Sequence, residues 1–151
     1  MELAQSMSSN IPSDYGKFIM ADINPVTILL VDDAMSLRIV IKMGLQAEGY
    51  TVLEAVSGKA GLDLVTSHKG LLDLIIADQN MPGMSGLEMV TAIRALKDNA
   101  NANCSVLFLT SDNTPALRQA CLDLKGLGII LKPAPSLMKL VKKIVSKKKP
   151  K

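Results

Sequence analysis

The sequence AspLeuIleIleAlaAsp at residues 73–78 decides the fold, because a short apolar run closed by an acidic residue is typical of a buried parallel strand. Three further apolar runs end on a polar residue in the same way: ThrIleLeuLeuVal before Asp32, ValLeuPheLeu before Thr110 and IleIleLeu before Lys132. Helical segments alternate with these runs, which predicts a parallel sheet covered on both faces. In such a sheet, ligands bind beyond the carboxyl ends of the strands. We therefore expect the residues that close the runs, together with Asp33, to converge on one site.

The chemistry of these side chains favours a cation and a phosphoryl group. Asp32, Asp33 and Asp78 would repel one another unless a cation joined them, and an oxygen cluster with open positions suits a hard ion such as Mg²⁺. The hydroxyl of Thr110 and the ammonium of Lys132 would remain to bind an anion held by that ion. The sequence therefore predicts a site for Mg²⁺ and a phosphoryl group.

These motifs resemble the receiver domain of bacterial two-component response regulators. The resemblance rests on the acidic pair Asp32-Asp33, on Asp78 followed by GlnAsnMetProGly, on Thr110-Ser111 and on Lys132-Pro133. It covers about residues 26–146, with the motifs in the family's order and spacing. The resemblance implies an α/β fold: a doubly wound, flavodoxin-like sheet of five parallel strands in the order 2-1-3-4-5, with five helices.

The resemblance also implies a role for each acidic residue. In this family the second acid of the pair, here Asp33, binds Mg²⁺ directly, and the first, Asp32, acts directly or through water. Asp78 is the expected phosphoacceptor and a further metal ligand, since a carboxylate can accept a phosphoryl group to form an acyl phosphate. Asn80 is expected to offer its backbone carbonyl to the metal, and its side chain to border the path of the attacking water.

The remaining residues of the predicted site would contact the phosphoryl group. Thr110 is expected to hydrogen-bond a phosphoryl oxygen and to move when one is present, while Ser111 is small enough to leave space for it. The family has a cis peptide before the proline that follows its site lysine, and this would aim Lys132 at the site. Asp78, Thr110 and Lys132 are thus the predicted catalytic residues, and Ser111 and Asn80 are predicted to line the phosphoryl site.

The predicted function is a single-domain response regulator that assists its own phosphorylation and dephosphorylation but is not otherwise an enzyme. A sensor histidine kinase, a phosphotransfer protein or a small acyl phosphate would supply the phosphoryl group, and an altered surface at about residues 114–145 would bind an unidentified protein. The sequence leaves the kinase, the target, the pathway and the oligomeric state open.

Two other classes of protein compete with this interpretation. An Asp-nucleophile phosphatase of the haloacid dehalogenase type would need an acid where Asn80 stands, to protonate the leaving group. A flavin- or nucleotide-binding module would need a glycine- or hydroxyl-rich loop after the first strand, where AspAspAlaMetSer is acidic. Simpler roles are also open: Asp32-Asp33 could cap a helix, Thr110 could merely complete a strand, and His68 is most simply a solvated residue.

One position departs from the family pattern. Family members commonly carry Tyr or Phe three residues before the site lysine, as a switch that turns inward on phosphorylation. This chain has Ile129 there, which has no ring to move between exposed and buried positions. Signalling through an aromatic switch is therefore in doubt, and the shift would have to come from Thr110, Ser111 and the loop at residues 112–114.

Length and charge predict a single domain with a short segment at each end. The 151 residues divide into a flexible leader at 1–24, a receiver domain at 25–146 and a basic tail at 147–151, with no room for a DNA-binding or other effector domain. Residues 139–151 hold seven lysines and no acid, so the net charge of +3 leaves 3 − 7 = −4 on the remainder. Such a tail could bind nucleic acid or an anionic surface, but without interleaved aromatic residues a solvated terminus is favoured.

No apolar run approaches the roughly 20 residues that span a bilayer, and no signal peptide is evident, so we expect a cytoplasmic protein without membrane contact. Cys104 and Cys121 lack metal-ligand spacing and are expected to be reduced thiols.

Thr114-Pro115 is expected to begin the fourth helix. Apolar positions at helical spacing predict the buried faces of three helices: Leu37, Val40, Ile41 and Gly44 in the first; Leu87, Val90 and Ile93 in the third; Leu137, Leu140, Val141, Ile144 and Val145 in the last.

Overall fold

Strands and helices alternate five times in the computed structural model, which describes residues 25–148. The strands are β1 (Thr27–Val31), β2 (Thr51–Ala55), β3 (Leu74–Asp78), β4 (Val106–Thr110) and β5 (Gly128–Leu131). The helices are α1 (Met35–Ala47), α2 (Gly58–Ser67), α3 (Gly86–Arg94), α4 (Pro115–Asp123) and α5 (Leu137–Lys148). The predicted leader and residues 149–151 lie outside the described residues.

The five strands form one parallel sheet in the order β2-β1-β3-β4-β5, which confirms the predicted topology. The register explains why the strand ends meet. Val31 pairs with Ala77, Asp78 pairs with Leu109, and Thr110 pairs with Leu131. The residues that follow these pairs therefore lie side by side at the carboxyl ends of the strands.

Both faces of the sheet are buried, as continuous apolar runs predict. On one face Leu29, Val31 and their neighbours pack with residues of α2, α3 and α4. On the other face Ile28 and Leu30 pack with residues of α1 and α5. All five residues of β3 and of β4 are buried, so the two central strands fix the position of the site.

Side-chain caps begin three of the helices. Ser57 accepts a hydrogen bond from Ala60 N in α2, and Thr114 accepts one from Leu117 N in α4, which has Pro115 in its first turn as predicted. Ser85 and Glu88 form a capping box at α3. Helix α1 has no side-chain cap, since its N-cap is Ala34, so the acidic pair does not cap this helix.

The structure corrects the predicted face of α1. Val40 is 66% exposed, whereas Ile41 and Leu45 are buried, because the helix turns only a narrow stripe toward the sheet. Gly44 belongs to that stripe: a Cβ atom there would lie 3.0 Å from Met138 of α5. In α5 the predicted face is confirmed, with Leu137, Val141 and Val145 buried and Leu140 and Ile144 partly buried.

The boundary between domain and tail stays a prediction, although α5 continues to Lys148, two residues beyond it. Cys104 and Cys121 are both buried and are not joined by a disulfide bond, as expected for reduced thiols. No helix within residues 25–148 is long and apolar enough to cross a membrane.

Candidate functional site

Three carboxylates meet at the carboxyl ends of β1 and β3. One oxygen each of Asp32, Asp33 and Asp78 lies within 4.8 Å of the others. Asp32 and Asp78 are 0% and 2% exposed, while Asp33 is exposed. The register of β1 beside β3 thus brings together the three acids that the sequence analysis grouped, with one of them open to solvent.

The two oxygens of Asp32 have different surroundings. Oδ1 accepts a hydrogen bond of 2.8 Å from the Ala34 amide, which holds the loop after β1. Oδ2 is buried without a hydrogen-bond partner in the described part of the chain, and Lys132 Nζ lies 3.7 Å away. A buried acceptor without a hydrogen bond costs free energy, so this oxygen and its two acidic neighbours fit a bound cation.

Lys132 supplies the positive charge of the site from the end of β5. Its Nζ lies 3.1 Å from Asp78 Oδ1, and its side chain is 23% exposed. The peptide bond between Lys132 and Pro133 is cis, as the resemblance implies. One ammonium facing three carboxylates leaves the site negative, which favours a divalent cation there.

Burial raises the pKa of Asp78 above its ordinary value, because the charged form loses contact with water. The contact with Lys132 and the Asn80 amide, which donates to Asp78 Oδ1 at 3.2 Å, oppose this change, while the charge of Asp32 adds to it. Because the pKa of Asp78 is raised overall, the site stabilises the charged carboxylate less than water does.

The side chains of Thr110, at the end of β4, and Asn80, two residues after β3, approach each other. The Thr110 side chain is fully buried, and its Oγ1 accepts a hydrogen bond of 3.0 Å from the Asp112 amide. Asn80 Nδ2 lies 3.5 Å from the same oxygen. Ser111 follows Thr110 in the chain and is exposed. The structure thus brings Asp78, Asn80, Thr110 and Lys132 into one cluster, with Ser111 beside it in sequence.

Arg38 is a residue of the site region that the sequence analysis missed. Its Nη1 donates to the Asp32 carbonyl at 2.8 Å and its Nε to Glu54 Oε1 at 3.2 Å, with the side chain only 12% exposed. Lys42 Nζ lies 2.6 Å from Glu54 Oε2, and this bond is the main reason that the pKa of Glu54 is lowered. The feature of the sequence that could have indicated these contacts is the acid Glu54 within the largely apolar strand ThrValLeuGluAla.

Gly86 is a second missed residue. A Cβ atom at this position would lie 2.5 Å from the Asp78 carbonyl oxygen, so a side chain would displace the end of β3. The Gly86 amide donates to the Gln79 carbonyl at 3.1 Å, and Gln79 Oε1 accepts from Leu87 N at 2.9 Å. Helix α3 therefore packs directly on the strand end that carries Asp78.

Ile129 lies in the middle of β5, half-buried, and pairs with the fully buried Phe108 of β4. It packs against the core cluster shared with α2, α3 and α4. Beside it, a surface hollow is lined by residues of α4 and the loop before that helix, including Asn113, Arg118 and Leu122. The position at which the resemblance implies an aromatic ring is thus occupied by an aliphatic side chain next to α4.

Comparison with known proteins identifies the class to which this fold and site belong. The family model of the response regulator receiver domain matches residues 28–145, and the chain belongs to this family. It is 30% identical over 106 residues to sporulation initiation phosphotransferase F of Bacillus subtilis, covering 70% of this chain and 81% of that protein. It is also 37% identical over 86 residues to chemotaxis protein CheY of Pseudomonas aeruginosa, covering 56% of this chain and 66% of that protein.

Solved structures give the same result. The structure of chemotaxis protein CheY4 of Vibrio cholerae has a TM-score of 0.70 at 30% identity, covering 80% of this chain and 98% of that one. A response regulator receiver protein of Pseudomonas putida has a TM-score of 0.72 at 25% identity, covering 82% of this chain and 98% of that one. Some relatives are much longer: the chain spans 17% of the sensory/regulatory protein RpfC of Xanthomonas campestris.

Membership defines the general role. The chain is a receiver domain of two-component signalling, a class that accepts phosphoryl groups and has histidine kinases or phosphotransfer proteins as partners. Receiver domains generally bind Mg²⁺ at an acidic pocket, and in this chain Asp32, Asp33 and Asp78 form a cluster of three acids that could hold a metal ion.

Proposed function

We propose that this receiver domain is a Mg²⁺-dependent aspartyl-phosphate switch in which Asp78 accepts a phosphoryl group from a sensor histidine kinase or a phosphotransfer protein. The observation that carries this proposal is the position of Asp78. It is 2% exposed at the end of a central strand, 3.1 Å from the Lys132 ammonium and within 4.8 Å of two further carboxylates.

Asp32, Asp33 and Asp78 would hold the metal, together with the backbone carbonyl of Asn80. Bound there, Mg²⁺ would supply positive charge for the oxygens of the transferring phosphoryl group. The buried Oδ2 of Asp32, which accepts no hydrogen bond within residues 25–148, supports this assignment, because a cation would compensate the desolvation of that oxygen.

The transfer itself would use the chain's own residues. An Asp78 carboxylate oxygen would form a bond to phosphorus as the bond from phosphorus to the donor's imidazole nitrogen breaks, leaving an acyl phosphate. Lys132 would neutralise one phosphoryl oxygen. Thr110 Oγ1 already accepts from the Asp112 amide, so its hydroxyl proton is available to donate to another. Asn80, beside Thr110, would border the water that later hydrolyses the acyl phosphate, with Ser111 leaving room.

The output would be an altered protein-binding surface at about residues 114–145. Ile129 offers no aromatic switch, so movement of Thr110 would be transmitted through its bond with Asp112 to the loop that leads to Thr114, the N-cap of α4. A phosphoryl group biases such a surface only if it interacts differently with the two conformations. The haloacid-dehalogenase alternative is disfavoured, because the Asn80 amide cannot protonate a leaving group.

The test is labelling with acetyl phosphate in the presence and absence of Mg²⁺, read by intact-protein mass spectrometry. The wild type should gain one phosphoryl group only with Mg²⁺, and Asp78→Asn should gain none. Asp63→Asn, at an exposed acid of α2, is the matched control and should be labelled like the wild type. Equal labelling of Asp78→Asn would show that another residue is the acceptor.

A further inference from the structure

The side of α1 that faces away from the sheet is apolar. Helical spacing places four large, exposed side chains there, opposite the buried Ile41 and Leu45. These four residues form what we call the outer face of α1: Met35, 65% exposed; Ile39, 42%; Val40, 66%; and Met43, 64%. Contiguous exposed apolar surface of this kind marks a site of interaction. Helix α1 thus has a second apolar face, which is open to solvent within the described part of the chain.

The charged side chains of α1 do not interrupt the outer face. Arg38 Nε lies 3.2 Å from Glu54 Oε1, and Lys42 Nζ lies 2.6 Å from Glu54 Oε2, so both cations of the helix are paired with β2. The other polar residues of α1, Ser36 and Gln46, are uncharged. An apolar segment could therefore bind the outer face without burying an unpaired charge of this helix.

The leader that precedes the domain carries a matching apolar run. PheIleMetAla at residues 18–21 is the longest apolar run within residues 1–24, and Tyr15 lies three residues before it. The leader also holds one of the two tyrosines and one of the two phenylalanines of the chain. Segments that remain solvated contain few aromatic residues. The composition of residues 15–21 is therefore that of a segment suited to cover apolar surface.

The leader joins the domain beside the carboxyl end of α1. Pro25 is exposed, and the carbonyl of Val26 accepts a hydrogen bond of 2.8 Å from the Thr51 amide, directly after the turn that follows α1. The outer face is about 12 Å long, at 1.5 Å per residue. Residues 18–24 can span roughly 23 Å. This length is enough to pass round a helix about 10 Å in diameter and to reach the outer face.

We propose that residues 15–20 of this chain dock on the outer face of α1, with the side chains of Phe18 and Ile19 against it. A segment on a short tether acts at an effective concentration of roughly millimolar. A contact too weak to hold a separate molecule is therefore sufficient to hold the leader. A second copy of the chain, or another protein, would have to bind from a much lower concentration, so the tether favours the leader as the occupant.

A docked leader would lie next to the acidic cluster, because α1 begins two residues after Asp33. It would cover that side of the site from a large phosphodonor but not from acetyl phosphate. This regulatory consequence rests on the proposed function of Asp78, whereas the contact between the leader and α1 does not.

Trypsin measures the contact in the full-length protein, because Lys17 lies inside the docking segment and is the first lysine or arginine of the chain. Cleavage there releases residues 1–17, which mass spectrometry quantifies. The cleavage rate follows the undocked fraction when docking is fast, so Val40→Ser/Met43→Ser should release this fragment roughly fivefold faster than the wild type. The matched control is Leu71→Ser/Leu122→Ser, at two residues outside α1 that are 69% and 63% exposed, and it should not change the rate.

Amide NMR spectra of the full-length protein identify the surface that the leader contacts. Phe18→Ser/Ile19→Ser should shift the resonances of residues 35–43 and leave those of residues 106–110 unchanged. Adding these changes to Val40→Ser/Met43→Ser should shift residues 35–43 no further, because the leader would already be released.

Equal release of residues 1–17 from the wild type and from Val40→Ser/Met43→Ser would overturn the proposal, and so would NMR shifts that map outside α1. Release that slows as the protein concentration rises would show that a second copy covers the outer face instead. Labelling with acetyl phosphate separates the two proposals. Lost labelling of the wild type with Lys17 still protected contradicts only the switch, and normal labelling with Lys17 unprotected contradicts only the docking.

Discussion

The two edge strands of the sheet have different surroundings, charged side chains at β2 and mainly aliphatic ones at β5. At the β2 edge, Glu54 is held by Arg38 and Lys42, and Arg38 in turn binds the Asp32 carbonyl. At the β5 edge, Ile129 and Ile130 are half-buried beside two surface hollows, and Lys132 is the strand's link to the carboxylates. The acidic side of the site is therefore fixed by charged bonds, whereas the side that carries Lys132 has fewer restraints and is the better candidate to move.

The largest expected effect is on the acidic side, at the exposed acid. Asp33→Ala should weaken Mg²⁺ binding at least tenfold, or ~1.4 kcal/mol, as measured by isothermal titration calorimetry. The metal-free variant should be at least as thermostable as the wild type, because removing one of three clustered charges relieves repulsion. A lower melting temperature without Mg²⁺ would count against the repulsive cluster.

The next effect concerns the β5 edge. Lys132→Ala should still be phosphorylated on Asp78, but the signal should no longer reach β5, because the ammonium is the contact between the carboxylates and that strand. Beryllofluoride with Mg²⁺ should shift the amide NMR resonances of residues 128–131 in the wild type and in Lys59→Ala, but not in Lys132→Ala. An undiminished response would rule out Lys132 as a coupling residue.

A smaller effect tests the β2 edge. Arg38→Lys keeps the charge but loses the fork that joins Asp32 to Glu54. Mg²⁺ affinity should therefore fall by roughly tenfold, the low end of the effect of removing a group that holds a metal ligand in place. Lys42→Ala, which leaves the bond to Asp32 intact, should change the affinity less.

Arg38→Met removes both the hydrogen bonds and the charge of Arg38, and so tests which of the two affects Mg²⁺ binding. Losing a nearby cation would by itself strengthen Mg²⁺ binding, so tighter binding in this variant would show that Arg38 acts through its charge alone.

The smallest expected effect is at Ile129. Beryllofluoride with Mg²⁺ should shift the resonances of residues 110–118 strongly, through the bond between Thr110 and the Asp112 amide. Ile129→Ala should preserve that response. If the response disappears while the fold and Mg²⁺ binding remain, an aliphatic residue at this position serves as the switch.

The sequence by itself determined four of the five strands and the main chemical groups of the site. Four apolar runs, each closed by a polar residue, predicted where these strands end, because an unbroken apolar run is a local property of the sequence. That Asp32, Asp78, Thr110 and Lys132 meet followed from the general rule for parallel sheets. The strand order required the family resemblance, since the pairing of strands depends on contacts distant in sequence.

Only the tertiary structure decided which contacts hold the site residues in place. The bond from Arg38 to Glu54 crosses from α1 to β2, and the approach of Gly86 to the Asp78 carbonyl depends on how α3 packs on β3. In the described part of the chain, the lack of a hydrogen bond to Asp32 Oδ2 and the exposure of Val40 also depend on which residues pack beside them in the folded protein. These features arise from packing in three dimensions, and neither the period of a helix nor the alternation of a strand encodes them.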